Sequence, residues 1–174
     1  MQNLSLSDIL DGMIAKKHQK NTHKYHKITT HPIPSAKRVG KILFDSPHRR
    51  EAHEKETAAL LIRWGYDLMF IKAKNIPHTY TPDCAWRGNF WELKALFEDT
   101  TEAINSDMRK ASKQADYIVI DACRIRRTIG QVARSIINYY QERYRGKKNK
   151  TILILGRGKK GLLEYCIIDS DMLK

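Results

Sequence analysis

The sequence predicts an α/β fold in which a central mixed β-sheet is flanked by helices. Short apolar runs typical of strands alternate with amphipathic stretches of helical period. A strand–helix–strand unit in the second half requires a parallel crossover, whereas a tight hairpin just before it requires antiparallel pairing. Because both kinds of pairing are expected in one sheet, the sheet is predicted to be mixed.

Composition points to one domain with a polyanionic partner. The chain has 174 residues, enough for one substantial core and short for two. Lysine plus arginine outnumber aspartate plus glutamate by 32 to 19, so the formal net charge is +13. That charge favours nucleic acid first and an anionic membrane surface second. No apolar run approaches the ~20 residues of a membrane span, and no signal peptide is visible.

The three cysteines are far apart and show no C-x-x-C spacing. This pattern argues against a zinc ribbon or a disulfide framework. Free thiols in a reducing compartment are expected.

Residues 1–45 are expected to form a segment distinct from a domain at 46–174. Residues 5–17 have the pattern of a short amphipathic helix, and residues 18–41 are basic, polar and rich in turn formers. Four of the seven histidines lie in that second stretch. Their spacing does not place them on one helical face, so a flexible basic arm or a linker is favoured over a zinc cluster.

The domain is expected to begin with a helix over 46–64, opened by a serine cap and a proline and ended by a glycine. Within it, Glu54 lies one turn before Ala58 on the buried stripe, and Glu56 lies nearer the edge of that stripe.

Strands and helices then alternate, and a glycine- and lysine-rich loop that lacks the Walker spacing joins the last two strands as a hairpin. In chain order the expected elements are a strand at 66–73, a hairpin at 81–94, a helix at 100–115, a strand at 117–122, a helix at 126–145, and strands at 151–155 and 162–168.

The hairpin carries the candidate chemistry. With Gly88-Asn89 as its two-residue turn, Asp83 faces Lys94 and Ala85 faces Glu92. Side chains alternate along a strand, so these four project from one face and the tryptophans from the other. Asp83 and Glu92 are then diagonal neighbours, roughly 7–8 Å apart at Cα. Two acids and a lysine on one face of an otherwise apolar hairpin favour a metal site over a solvated surface.

A family resemblance follows from these residues. Pro82-Asp83, eight intervening residues and Glu92-Leu93-Lys94 resemble the motif of the PD-(D/E)xK nuclease superfamily. The run TPDCAWRGNFWELKA, with RKASKQADYIVIDA after it, resembles the C-terminal tRNA nuclease domain of contact-dependent growth inhibition toxins and its phage and mobile-element relatives. The resemblance covers residues 47–122. It implies a restriction-endonuclease-like core and a metal-dependent endonuclease.

The resemblance also implies roles for the hairpin residues. Asp83 and Glu92 would be ligands of Mg²⁺ or Mn²⁺, and a carbonyl beside Glu92, that of Leu93, would complete the protein's share. Lys94 would either orient the attacking water or offset charge on the phosphate.

The family carries a helix glutamate that joins the site, and Glu54 fits it better by facing than its competitor Glu56. The family also has a basic helix that ends in Lys-Gln-Ala-Asp. That match assigns four substrate-binding candidates, alongside the plainer reading of a solvated helix face: Arg109, Lys110, Lys113 and Gln114.

Three functions stay open at this point. The first is a metal-dependent endoribonuclease that acts on tRNA as a toxin, although the 2′-hydroxyl of RNA also permits cleavage without metal. The second is a DNA endonuclease of the same superfamily, and the third is a non-catalytic basic module that binds nucleic acid. A toxin would act in the bacterial cytoplasm, would be delivered as part of a larger secreted protein, and would have an acidic immunity protein as partner.

Overall fold

The computed structural model describes residues 28–34, 36–45, 51–72, 80–144 and 149–173. The helix predicted at residues 5–17 lies outside these ranges, and so do three of the four N-terminal histidines.

Eight strands form one mixed sheet within the described residues. They are β1 (His31–Pro32), β2 (Ile42–Phe44), β3 (Leu68–Phe70), β4 (Cys84–Trp86), β5 (Asn89–Ala95), β6 (Tyr117–Asp121), β7 (Thr151–Arg157) and β8 (Leu163–Ile168). Their order across the sheet is β1-β8-β7-β6-β5-β4-β3-β2. Strands β5, β6 and β7 are parallel to one another, β2 is parallel to β3, and the other neighbours are antiparallel. The predicted mixed sheet is confirmed.

Three α-helices accompany the sheet in the described part of the chain: α1 (Ala52–Leu61), α2 (Thr101–Gln114) and α3 (Ile129–Tyr144). The Thr100 side chain caps α2 by accepting a hydrogen bond from the Ala103 backbone N–H, as predicted.

Helix α1 begins later than predicted. Glu51 is its N-cap, so the helix begins at Ala52, and the predicted serine cap and proline at residues 46 and 47 lie outside the described residues. Glu51 and Glu54 form a capping box, which satisfies backbone N–H groups of the first turn and so marks the start of the helix. A 3₁₀ turn over Ile62–Trp64 extends the helix, and Gly65 ends it with φ of 88°, where glycine is favoured.

The helices divide between the two faces of the sheet. Helices α2 and α3 pack on one side, here called the α2/α3 face, against Ile118 and Ile120 of β6. Helix α1 packs on the other side, the α1 face, where Trp91 and Val119 contribute to the core. The β5–α2–β6 unit is the predicted parallel crossover, and it sets Glu92 beside Ile118.

Both edge strands come from the stretch that the sequence assigned to the N-terminal segment. β1 pairs with β8, and β2 pairs with β3. Residues 31–32 and 42–44 are therefore part of the sheet and not of a linker.

The three cysteines are free: Cys84 and Cys166 are buried and Cys123 is half-buried. None of the described helices combines the length and apolarity that crossing a membrane requires.

Candidate functional site

The turn of the central hairpin is Arg87-Gly88, and the predicted turn at Gly88-Asn89 is wrong by one residue. Both turn residues have positive φ, 52° and 74°, as a type I′ turn requires. Cys84 therefore pairs with Trp91, and Ala85 with Phe90.

This register packs the hairpin's aromatic side chains together. The Trp91 indole N–H donates to the Trp86 carbonyl at 2.9 Å, and the two rings meet edge to face. The shift moves each cross-strand partner by two positions, so every side chain keeps its predicted face.

The corrected register brings the two motif acids directly opposite each other. One step beyond the Cys84–Trp91 pair, Asp83 lies across from Glu92 instead of diagonal to it. Because β4 begins at Cys84, β5 continues past its antiparallel partner from Glu92 onward. The Asp83 carboxylate occupies that gap, where Oδ2 accepts the Leu93 backbone N–H at 2.8 Å.

The side chain of Glu92 lies where an ionised carboxylate is poorly solvated. It is 2% exposed and lies on the α2/α3 face of the sheet. Its Oε1 is 3.8 Å from Lys94 Nζ, and its Oε2 is buried with no donor in the described part of the chain.

The electrostatics of Glu92 follow from that environment. Burial is the largest factor that raises its pKa, to about 9, followed by the charge of Asp83 and a hydrogen bond with it. Lys94 opposes the rise and Glu54 adds to it. Two ionised carboxylates offer each other no donor, so the contact between Asp83 and Glu92 requires either a proton or a cation.

The two candidate glutamates of helix α1, Glu54 and Glu56, have different surroundings. Glu54 lies within electrostatic range of Glu92, and its Oε2 accepts the Glu51 backbone N–H at 3.2 Å. Glu56 instead forms a short ion pair with Arg124. The structure thus brings Glu54 together with Asp83, Glu92 and Lys94, and directs Glu56 elsewhere.

The donor set at the hairpin suits a hard cation. Strand residues direct their N–H and C=O to the same side, so the Leu93 carbonyl faces the gap where Asp83 lies. The unsatisfied Glu92 oxygen is a group that a cation would satisfy. No cluster of three or more His, Cys, Asp or Glu side chains is arranged for a metal in the described ranges. Magnesium needs only one or two protein carboxylates and keeps several waters, so two acids and a carbonyl fit it.

The four substrate-binding candidates on α2 divide between two flanks of the helix. Arg109 lines a cleft with Tyr139 and Arg143 of α3, and so lies on the α3 side. Helix α3 packs against β7 and β8, whereas α2 packs against β5. The opposite flank of α2 therefore faces β4.

Helical spacing places Lys110 on that β4-side flank. Lys113 is exposed and lines a second cleft with Gln114 and Lys150 at the C-terminal end of α2. Of the four candidates, Lys110 is the one whose spacing puts it toward the Glu92 side.

Two buried charged residues were missed by the sequence reasoning. Lys150 is 6% exposed, and its Nζ donates to the carbonyls of Ser112 and Ala115 and to Asp116 Oδ1, at 3.0, 2.7 and 2.6 Å. It satisfies the C-terminal end of α2. The sequence hid this role, because Lys150 ends a basic run that was predicted to be an exposed turn.

Asp121 is the second missed residue, and it is 1% exposed at the end of β6. Its carboxylate accepts hydrogen bonds from the Thr57 hydroxyl at 2.8 Å, the Cys123 backbone N–H at 2.9 Å and Arg124 Nη1 at 2.8 Å. Burial opposes ionisation, but the hydrogen bonds from Cys123, Thr57 and Arg124 outweigh it and lower the Asp121 pKa. An aspartate that ends an apolar run just before an arginine is the signal that was available.

Part of the chain, including this hairpin, matches a known protein family. Residues 79–160 match the family described as the contact-dependent growth inhibition CdiA C-terminal domain. The matched stretch overlaps residues 47–122, on which the resemblance drawn from the sequence rests. The matched segment contains the whole hairpin and α2.

Among solved structures, the chain is similar to one described as a CdiA-CT/CdiI toxin and immunity complex from Burkholderia pseudomallei. The identity is 15% and the TM-score 0.46, over 75% of this chain and 99% of the other. No curated protein matches the sequence.

Proposed function

We propose that this chain is a toxin domain that hydrolyses phosphodiester bonds in RNA, with tRNA as its substrate and Mg²⁺ or Mn²⁺ as its cofactor. The observation that carries the proposal is the pair formed by buried Glu92 and half-buried Asp83 beside Lys94. Glu92 is 2% exposed, contacts a second acid and lacks a donor on one oxygen. Burying such an acid lowers the stability of the fold, which favours a functional role for it. The family match at residues 79–160 and the net charge of +13 support the same proposal.

The chain's own residues divide the work. Asp83, Glu92 and the Leu93 carbonyl would hold the cation, which when bound polarises a phosphoryl oxygen and makes a bound water more acidic. Lys94 reaches the partly exposed side of the pair, where its ammonium can donate to a phosphate oxygen or position the attacking water. Glu54 adds negative charge at the rim of the site.

A toxin of this charge needs an acidic partner that covers the site in the producing cell. We therefore expect an immunity protein with a negative surface around its contact with Lys94. Action in the bacterial cytoplasm and delivery as part of a larger secreted protein belong to the same proposal.

The test is to incubate the protein with total RNA and with plasmid DNA, with Mg²⁺ and after EDTA. We expect RNA to be cut only with the metal. Asp83→Ala and Lys94→Ala should lower the rate on the order of 10³-fold, because each removes a group from the reacting centre. Glu56→Gln is the matched carboxylate control and should cut at the parental rate.

Each other outcome has a meaning. Parental rates for both Asp83→Ala and Lys94→Ala would end the proposal. Cleavage of plasmid alone would favour the DNA endonuclease, and RNA binding without turnover would favour a non-catalytic module.

A further inference from the structure

An apolar row crosses four strands on the α2/α3 face, beside the acidic pair. Leu43 of β2 pairs with Met69 of β3, Met69 with Ala85 of β4, and Ala85 with Phe90 of β5. Leu43 is 44% exposed, Met69 42% and Phe90 62%. These four residues are here called the open row, and they span roughly 14 Å across the strands.

The described helices leave this part of the sheet uncovered. On the α2/α3 face, α2 packs against β5 and α3 against β7 and β8. Helix α1 lies on the opposite face, in the core cluster that also holds the buried side chains of β3 and β4. A sheet face with three large apolar side chains in solvent marks a contact surface.

The open row is continuous with the candidate active site. Phe90 lies two residues before Glu92 on the same face of β5, which sets their Cα atoms roughly 7 Å apart. Ala85 of β4 lies two residues after Asp83 and, by the same alternation, on the same face of the sheet.

A partly basic wall borders this floor. By helical spacing, the flank of α2 that faces β4 carries Lys110, and Lys94 stands at the corner between floor and wall. The result is a groove whose floor is apolar, whose corner holds the acidic pair, and whose margin carries ammonium groups.

We propose that the open row is the platform on which unpaired bases of the RNA substrate stack while Lys94, beside Glu92 and Asp83, contacts the adjoining phosphate. This inference rests on the proposed nuclease function and names the form of its substrate. Bases present an apolar π-face only when they are unpaired and splayed, because in a duplex those faces are stacked on one another. The lysines at the margin match the phosphates of the same strand, so the groove selects single-stranded loops or ends.

The test measures binding apart from turnover. A 5′-fluorescein-labelled 12-nucleotide single-stranded RNA is titrated with protein in EDTA, and fluorescence anisotropy is followed. Phe90→Ala should weaken binding by about 5- to 100-fold, the loss expected for one base–aromatic contact. Binding of the same sequence as a duplex should not change.

Phe97→Ala is the matched control. Phe97 is 64% exposed, nearly the same as Phe90, but its ring packs against His53 and Arg124. The Phe97→Ala variant should bind the single strand as the parent does. Met69→Ala is a second floor variant and should weaken single-strand binding in the same direction as Phe90→Ala.

Unchanged single-strand affinity in both floor variants would overturn the platform even if the protein cuts RNA. Equal losses for duplex and single strand would also overturn it. A dimer of the parent that Phe90→Ala dissociates, with RNA affinity unaltered, would identify a second copy as the occupant instead. Failure of the nuclease proposal is seen separately, as absence of cleavage with Mg²⁺ whatever the anisotropy gives.

Discussion

Two buried acids on neighbouring strands of the same sheet have opposite environments. Glu92 on β5 is 2% exposed, touches a second acid and has a raised pKa. Asp121 on β6 is 1% exposed, accepts hydrogen bonds from three residues and has a lowered pKa. The two side chains are nearly equally buried, so the opposite pKa shifts follow from the number of hydrogen-bond donors around each carboxylate.

The comparison separates a structural carboxylate from a candidate catalytic one. Asp121 links α1 to the loop after β6 through Thr57 and Arg124, so its negative charge is stabilised by groups of the protein itself. Glu92 has a buried oxygen with no donor in the described residues and faces the groove beside Lys94. Folding alone does not satisfy it, which leaves it available to a cation.

The largest effect on stability should come from the satisfied acid. Asp121→Asn turns one of two accepting oxygens into a donor that must face a donor of Cys123, Thr57 or Arg124, and it removes the buried charge partner of the guanidinium. We expect a loss of about 3 kcal/mol in the free energy of unfolding, seen as a drop in Tm of roughly 6–12 °C. Thermal unfolding followed by circular dichroism at pH 7 measures it.

Glu56→Gln is the control for that variant, because Glu56 holds the other side of Arg124 but its side chain is 66% exposed. It should cost less than about 1 kcal/mol. If Asp121→Asn were as stable as Glu56→Gln, the assignment of Asp121 as the structural acid would be wrong.

A smaller effect, of opposite sign, is expected at Glu92. In the metal-free protein its pKa is about 9, against an ordinary value of 4.5 in the unfolded chain. The folded state therefore binds more protons between these values, and stability falls as pH rises from about 4.5 to about 9. Asp121 behaves in the other direction: its lowered pKa gives stability that is present above the ordinary value and lost as pH falls below it.

Glu92→Gln should remove the part of the fall in stability at alkaline pH that the titration of Glu92 causes. In EDTA, the fall in Tm between pH 5 and pH 8.5 should be smaller by a few degrees than in the parent. Glu98→Gln, an exposed carboxylate just beyond β5, should follow the parent. Parallel curves for the parent and Glu92→Gln would show that Glu92 titrates normally.

The faces of the hairpin were predictable from the sequence, but its register was not. Alternation along a strand has a period of two, so the placement of Asp83, Glu92 and Lys94 on one face survived a turn shifted by one residue. The turn itself was ambiguous, because Arg87-Gly88 and Gly88-Asn89 both offer a glycine for positive φ. Tertiary packing of the tryptophans decides between them, and places Arg87 in a conformation that arginine rarely adopts.

Other features depended on tertiary contacts that periodicity does not report. β1 and β2 are two and three residues long, too short for any pattern, and exist because β8 and β3 offer them free edges. The helix α2 was predicted well, with its cap and buried stripe. Which of its basic residues face the site depends on where α3 packs, so Arg109 and Lys110 could not be separated in advance.

Calorimetric titration of Mn²⁺ into the metal-free protein at pH 7.5 measures whether Asp83 and Glu92 hold a cation. We expect one site in the parent and in Glu98→Gln. In Glu92→Gln the affinity should be at least about tenfold weaker while the circular dichroism spectrum is unchanged, because a carboxylate ligand has been replaced by a neutral amide. Equal Mn²⁺ affinity in the parent and Glu92→Gln, or no binding by the folded parent, would contradict this expectation.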